Sequence, residues 1–108
     1  MKKTDNNKLI DKVYSKYKKA VNMTFRELKI WSENPLSKKA SLSREPINRN
    51  LRLLKKNKSD WTLRDVKGAN KTISYLARAK KIKSKNFIAG KLTKNDIALR
   101  NWAFDRFK

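Results

Sequence analysis

The sequence predicts an all-α fold, a single compact domain of four to five short helices within 108 residues. Apolar residues recur at spacings of three and four, which is the period of an amphipathic helix. No segment shows a sustained alternation of polar and apolar residues, so no sheet is expected. Two Gly and two Pro are also too few for a protein rich in β-turns.

Three short segments have the residue pattern of a helix start. In each, a Thr is followed three residues later by Glu or Asp, and an apolar residue flanks the pair on each side. The Thr hydroxyl can accept a hydrogen bond from a free backbone amide, while the carboxylate accepts one from the Thr amide. The apolar neighbours can pack together as a hydrophobic staple. The three pairs are Thr24 with Glu27, Thr62 with Asp65, and Thr93 with Asp96.

These starts and the apolar spacing predict helices over residues 7–21, 25–33, 46–57, 63–82 and 94–106. Residues 1–6 are expected to be flexible, and residues 36–45 and 83–91 are expected to be loops. The side chains predicted to face the core are those of Leu9, Ile10, Val13, Tyr14, Tyr17, Val21, Phe25, Leu28, Trp31, Ile47, Leu51, Leu54, Val66, Ala69, Ile73, Leu76, Ala77, Ile97, Ala98 and Trp102.

The charge of the chain favours a polyanionic partner. It has 30 Lys or Arg against 9 Asp or Glu and no His, which gives a net charge of +21. A folded domain of this size with that charge repels itself. Nucleic acid is the leading candidate, because cations that meet its phosphates release condensed counterions. Coding bias in an AT-rich genome explains Lys in place of Arg, but it does not explain why acidic residues are so few.

The predicted fourth helix separates an apolar face from a basic face, and the third helix adds further cations. A solvated helix face is the alternative to a binding surface, but such faces usually carry interspersed Glu and Asp, which are missing here. Because Lys meets phosphate as a point charge whereas Arg reads guanine bidentately, we expect phosphate contacts with little sequence specificity. The predicted nucleic-acid-binding residues are Arg49, Arg52, Lys55, Lys56, Arg64, Lys67, Lys71, Ser74, Tyr75, Arg78 and Lys81.

The aromatic residues divide into two groups. Trp31, Trp61 and Trp102 occupy helix or staple positions and are expected in the core. Tyr75 lies at the edge of the basic face, where it could stack on an unpaired base.

The residue types needed for catalysis are scarce. Without His and Cys, most acid–base, thiol and zinc sites are excluded. The carboxylates show no spacing suited to a two-metal nuclease, and two glycines cannot form a glycine-rich phosphate loop. We therefore expect no enzyme activity, no metal, no cofactor and no small-molecule substrate. No apolar run approaches the ~18 residues of a membrane span, and none follows the basic start as in a signal peptide. A membrane partner is not expected, nor is secretion.

Four motifs occur in order along residues 21–108. They are Val21-Asn22-Met23-Thr24 followed by Glu27-Leu28 and Trp31, then Thr62 to Asp65, then Lys71 with Tyr75 and Arg78, and finally Asn101-Trp102 with Asp105. In this arrangement the chain resembles a family of small basic helical domains of unknown function, for which DNA binding has been suggested. The family usually carries His where this chain has Ala79 and Phe104. The resemblance implies a nucleic-acid role, brings no catalytic residues and leaves residues 7–21 outside it. Asn101 and Asp105 are expected to fix the last helix rather than bind a ligand.

The sequence therefore predicts a non-catalytic, highly basic DNA-binding protein with little sequence specificity, in a genome-coating, nucleoid-like or viral DNA-associated role. Duplex DNA is the favoured partner. An RNA-binding or ribosome-associated protein is one alternative, and a virion-internal structural protein that docks on an acidic partner is another. The expected location is intracellular, nucleoid-associated or virus-internal.

Overall fold

Helices dominate the computed structural model, which describes residues 2–41, 43–83 and 85–108, with side chains from residue 6 onwards. The α-helices of this described part are α1 (Lys2–Ala20), α2 (Phe25–Ser32), α3 (Glu45–Lys55), α4 (Leu63–Ala79) and α5 (Lys94–Asn101). Two 3-10 helices, Pro35–Lys38 and Lys58–Asp60, lie in the connections. An antiparallel hairpin joins β1 (Phe87–Ala89) to β2 (Leu92–Thr93). The predicted all-α class is confirmed.

All three predicted helix starts are present. Thr24 and Thr93 each precede a helix, and each hydroxyl accepts from the amide three residues later at 3.1 Å. The carboxylates of Glu27 and Asp96 accept from the two Thr amides at 2.9 and 3.0 Å. At the start of α4, the amide and the hydroxyl of Thr62 both donate to the Asp65 carboxylate, at 2.9 and 3.4 Å. These bonds satisfy amides that the first helical turn leaves unpaired.

The first helix begins earlier than predicted. α1 begins at Lys2, so residues 2–6 belong to this helix, and Met1 lies outside the described residues. No Gly or Pro interrupts residues 2–20, and the helix therefore extends beyond the part that packs. Ile10 is buried, whereas Leu9, which the spacing predicted to face inward, is exposed.

The last helix ends earlier than predicted, at Asn101 instead of residue 106. The Phe104 amide donates to the Leu99 carbonyl at 3.0 Å, which is the bond of a Schellman motif. Between them Ala103 has a φ of 67°, a left-handed conformation that usually requires Gly. The Asn22 amide donates to the Ala103 carbonyl at 3.1 Å, so contacts from a distant segment hold this turn.

Both predicted loops contain ordered elements. The hairpin forms within residues 83–91 and beyond, so the expectation that there would be no sheet was wrong. Its strands of three and two residues are too short to show alternation, and its turn contains Gly90 at a φ of 56°. In the other loop, the 3-10 helix Pro35–Lys38 begins where the Asn34 side chain accepts from the Leu36 amide at 2.9 Å. The fourth helix also ends at Ala79 rather than residue 82.

The core lies where α1, α3 and α4 meet, with α2 and α5 closing it. On α4 the predicted inward position Ala77 is exposed, whereas Thr72 and Ala79 are buried. Because alanine is small, its place in an apolar pattern carries little information about burial. The largest fully buried apolar side chains are those of Tyr17, Leu28, Ile47, Leu53, Leu76, Ile97 and Leu99.

One polar group lies at the centre of this core. The Asn50 side-chain oxygen accepts from the Tyr17 hydroxyl at 2.8 Å and from the Thr72 hydroxyl at 2.9 Å. The Asn50 amide group donates to the Pro46 carbonyl at 2.9 Å. Burial raises the pKa of Tyr17 well above its usual range. Asn50 therefore joins α1, α3 and α4.

Asp96 provides a test of the capping bonds. The Arg106 guanidinium, 2.6 Å away, holds the pKa of Asp96 below its usual range, against the opposing effect of burial. We expect Asp96→Asn to lower the free energy of unfolding by about 2 kcal/mol at pH 7, since the Thr93 amide and Arg106 lose an ionised acceptor. Because the pKa of Asp96 is lower in the folded state than in the unfolded chain, its ionised form stabilises the fold at neutral pH. This stability is lost as the pH falls from about 3.9, the ordinary pKa of an Asp, through the pKa of Asp96 in the folded state.

Urea denaturation followed by Trp fluorescence, at pH 7 and again at pH 3, measures both effects. Because part of the wild-type loss at pH 3 comes from Asp96, the variant should lose less stability on acidification than the wild type. Asp60→Asn, at an exposed carboxylate without an ion pair in the described part of the chain, is the control. An unchanged acid sensitivity in Asp96→Asn would contradict this assignment.

Candidate nucleic-acid interface

An open groove of about 930 Å³ lies between α3 and α4. We call it the α3–α4 groove. Several of its lining residues were predicted from the sequence, namely Arg49, Arg52, Arg64, Lys67, Lys71, Ser74, Tyr75 and Arg78. Its other lining residues, which the sequence reasoning missed, are Glu45, Gly68, Asn70 and Trp102.

Helix α4 forms a cationic wall of this groove. Arg64, Lys67, Lys71, Ser74 and Arg78 follow one another at spacings of three and four, so they lie on one face of the helix. All five side chains are exposed. The fourteen steps of the helix from first to last span about 21 Å. Each strand of duplex DNA carries about six phosphates over the same axial length. The wall therefore presents exposed donors along a length of about six base-pair steps.

No carboxylate in the described part of the chain neutralises the cations of this wall. Arg64, Lys67, Lys71 and Arg78, with Arg52 on α3, have no carboxylate partner among the described residues. No acidic residue occurs in the sequence between Asp65 and Asp96. The ion pairs of the described chain involve other cations, in the pairs Arg49–Glu45, Lys56–Asp65, Lys58–Asp11, Arg100–Asp105, Arg106–Asp96 and Lys108–Glu27. The groove charge thus remains available to an external anion.

Arg49 differs from its predicted position on the solvated basic face. It is buried, and its guanidinium pairs with Glu45 one helical turn earlier. Its side chain lies against Gly68 of α4, where an added Cβ would come within 3.2 Å of Arg49 Cδ. Its guanidinium carbon is 5.7 Å from the centre of the Trp102 ring, within the range of a cation–π contact. Arg49 therefore forms part of the floor of the groove.

An aromatic pair also lines the groove. Tyr75 and Trp102 stack with their ring centres 4.2 Å apart and their planes 13° from parallel. Trp102 was predicted to lie in the core, but it is only half-buried because the turn at Ala103 ends α5 beside α4. Burial raises the pKa of Tyr75, although the nearby Arg78 opposes this. Trp31 and Trp61 are buried, as predicted.

Three of the predicted binding residues lie outside the groove. Lys55 and Lys81 are exposed but do not line it. Lys56 donates to the Asp65 carboxylate at 3.0 Å, at the start of α4. Burial alone would raise the pKa of Asp65, but hydrogen bonds from the Thr62 amide and from Lys56 lower it overall. Lys56 therefore already has a structural partner.

The closing motif of the chain has a structural role, as predicted. Asn101 is buried, accepts from the Trp31 indole at 2.8 Å and donates to the Ser37 carbonyl at 2.9 Å. The Asn22 side chain bonds to both backbone groups of Asp105, at 2.7 and 2.8 Å. Asn101 and Asp105 thus fix the end of the chain against α2 and the connection before it.

The structure offers no sign of a metal centre in the residues it describes, since no group of three or more acidic, His or Cys side chains could hold a metal ion there. None of the described helices has the length and apolar character to cross a membrane.

Comparisons of the chain with family models, curated proteins and solved structures gave no match. The family resemblance of residues 21–108 therefore stays a prediction.

Proposed function

We propose that this protein is a non-catalytic nucleic-acid-binding protein that holds duplex DNA by its phosphates in the α3–α4 groove. The observation that carries the proposal is the row of exposed cations on α4, none of which has a carboxylate partner in the described chain. Phosphates placed along this row would release condensed counterions, which is the main source of sequence-independent affinity. A genome-coating, nucleoid-like or viral DNA-associated role fits such binding.

We expect little sequence specificity. Contacts to phosphates position a protein on nucleic acid but do not read its sequence. Lys67 and Lys71 lie at the middle of the cationic wall and act as point charges. If base edges are read at all, Arg52, Arg64 and Arg78 are the candidates, because guanidinium groups can bind guanine bidentately.

RNA with unpaired bases is the second candidate ligand. The stacked pair of Tyr75 and Trp102 lines the same groove as the cations. Aromatic side chains in a cationic groove are a common arrangement for binding single-stranded nucleic acid. A virion-internal protein that docks on an acidic partner would use the cations without this aromatic pair.

The double variant Lys67→Ala/Lys71→Ala tests the proposed function. We expect weaker binding to all duplex sequences alike and a reduction of about 2 in the slope of log K against log salt, or ~0.9 for each lost contact. Fluorescence anisotropy over a salt series measures both. The control Lys29→Ala/Lys38→Ala removes the same charge at two exposed positions outside the groove and should change the slope little. A changed sequence preference, or an equal effect in the control, would contradict the proposal.

A further inference from the structure

The hairpin exposes two neighbouring apolar side chains on β1. Phe87 is 59% exposed and Ile88 is 40% exposed, and they follow each other in the chain. Scattered exposed apolar residues are ordinary on a protein surface. Two adjacent ones form a small contiguous apolar patch, and such patches can mark an interaction site.

The hairpin is attached firmly to the helices, so these side chains are held outward. Strand β1 pairs with β2 in the register Phe87 to Thr93 and Ala89 to Leu92. The Lys94 amide donates to the Asn86 carbonyl at 3.0 Å at the base of the hairpin. Thr93 belongs to the buried capping box of α5, and the Asn95 side chain donates to the carbonyl of Ala79 at 3.1 Å. Packing of the described chain thus leaves Phe87 and Ile88 uncovered.

The charged residues nearest to these two in the sequence are all lysines. Exposed lysines lie before β1, in the hairpin turn and at the start of α5, namely Lys83, Lys85, Lys91 and Lys94. Ile30, which is 60% exposed, has a different setting, because it lines a small cavity with Glu27, Arg100 and Asp105. The combination of apolar side chains and lysines at the hairpin suits an anionic ligand that also presents apolar surface.

We propose that the hairpin is a second nucleic-acid contact, in which Phe87 and Ile88 insert against base faces at an opened base step. This inference rests on the proposed function, because it assumes that nucleic acid occupies the α3–α4 groove. Phe and Ile are among the side chains that enter the minor groove and partly unstack a step, and the flanking lysines would meet the adjoining phosphates. The hairpin follows Arg78 of the groove after a short lysine-rich connection.

Phe87→Ala distinguishes this contact from the phosphate contacts of the groove. Insertion of an apolar side chain releases no counterions, so we expect about tenfold weaker binding to duplex DNA with an unchanged salt slope. Phe107→Ala is the matched control, since Phe107 is 48% exposed and lies outside the hairpin and the groove. It should bind like the wild type. Circular dichroism should show the same folded state for both variants.

A duplex that carries 2-aminopurine reports the unstacking directly. We expect its fluorescence to rise when the wild type binds, and to rise much less with Phe87→Ala or Ile88→Ala. If Phe87→Ala matches the wild type in affinity and in this signal while the salt slope is intact, the inference fails and the proposed function stands. If the wild type shows no salt-dependent binding at all, the proposed function itself fails. If Phe87→Ala binds DNA like the wild type but loses binding to phosphatidylserine vesicles, the inference is overturned. The patch would then be assigned to a membrane surface.

Discussion

Asn50→Ala is expected to lower the free energy of unfolding by about 4 kcal/mol, the largest stability effect among our predictions. The variant leaves the hydroxyls of Tyr17 and Thr72 without their acceptor in the buried core, and it also opens a cavity. A buried donor without a partner costs about 1–3 kcal/mol. For a domain of this size, whose stability is typically ~5–15 kcal/mol, the loss is a large fraction of the total.

Urea denaturation monitored by Trp fluorescence measures this effect. Asn48→Ala is the control, because Asn48 is an exposed asparagine on the same helix and should change stability by less than about 0.5 kcal/mol. Tyr17→Phe and Thr72→Val should each lower the free energy of unfolding by about 1 kcal/mol. Each variant removes one of the two hydroxyl donors, and the other hydroxyl still bonds to Asn50. A loss below about 1 kcal/mol for Asn50→Ala would show that this network does not hold the three helices together.

Neutralisation of the whole α4 wall is expected to have the largest effect on binding. In the variant Arg64→Ala/Lys67→Ala/Lys71→Ala/Arg78→Ala, the salt slope should fall by about 3.6 and the affinity at ~0.1 M salt by roughly three orders of magnitude. All four side chains are exposed, so the fold should be retained. Their removal even reduces the repulsion among like charges.

A control with the same net charge separates the groove from charge in general. Arg26, Lys29, Lys38 and Lys39 are exposed and do not line the groove. Their joint replacement by Ala changes the net charge equally, and it should reduce the slope by much less than 3.6. Anisotropy titrations of both variants, over the same salt series, give the comparison. Equal losses would mean that binding follows net charge rather than the α4 wall.

The helix starts were predictable because their chemistry is local. A capping Thr and a carboxylate three residues later act on neighbouring amides, so the bonds of Thr24 and Thr93 require no knowledge of the tertiary fold. The basic wall of α4 was predictable for a similar reason, because helical geometry alone places residues three and four apart on one face. On α4 the periodicity failed at Ala77, whose side chain is too small to require burial, and on α1 it failed at Leu9.

The end of α5 and the hairpin depend on contacts between distant segments. Ala103 adopts a left-handed conformation while its carbonyl accepts from amides near the start of α2. Because Ala rarely adopts this conformation, residue 103 does not predict a turn. The position of Trp102 in the groove is a consequence of this turn. The hairpin has too few paired residues to produce a pattern, although the turn glycine at Gly90 was a signal.

The burial of Arg49 has a signal in the sequence. Gly68 lies inside the apolar periodicity of the predicted fourth helix, and a glycine within a helix often has a packing reason. Here the reason is the Arg49 side chain, which crosses α4 at this point. Which group approaches the glycine depends on how α3 packs against α4, and the sequence does not contain that information.

The most direct test of the central claim is a titration of the wild-type protein with matched duplex DNA, single-stranded DNA and duplex RNA across a salt series. Phosphate binding in the groove predicts a steep salt slope of about −4 or more, with duplex DNA bound most tightly. A steep slope with single-stranded DNA or duplex RNA preferred would contradict duplex DNA as the ligand. A flat slope, or no binding near physiological salt, would contradict nucleic-acid binding by the α3–α4 groove.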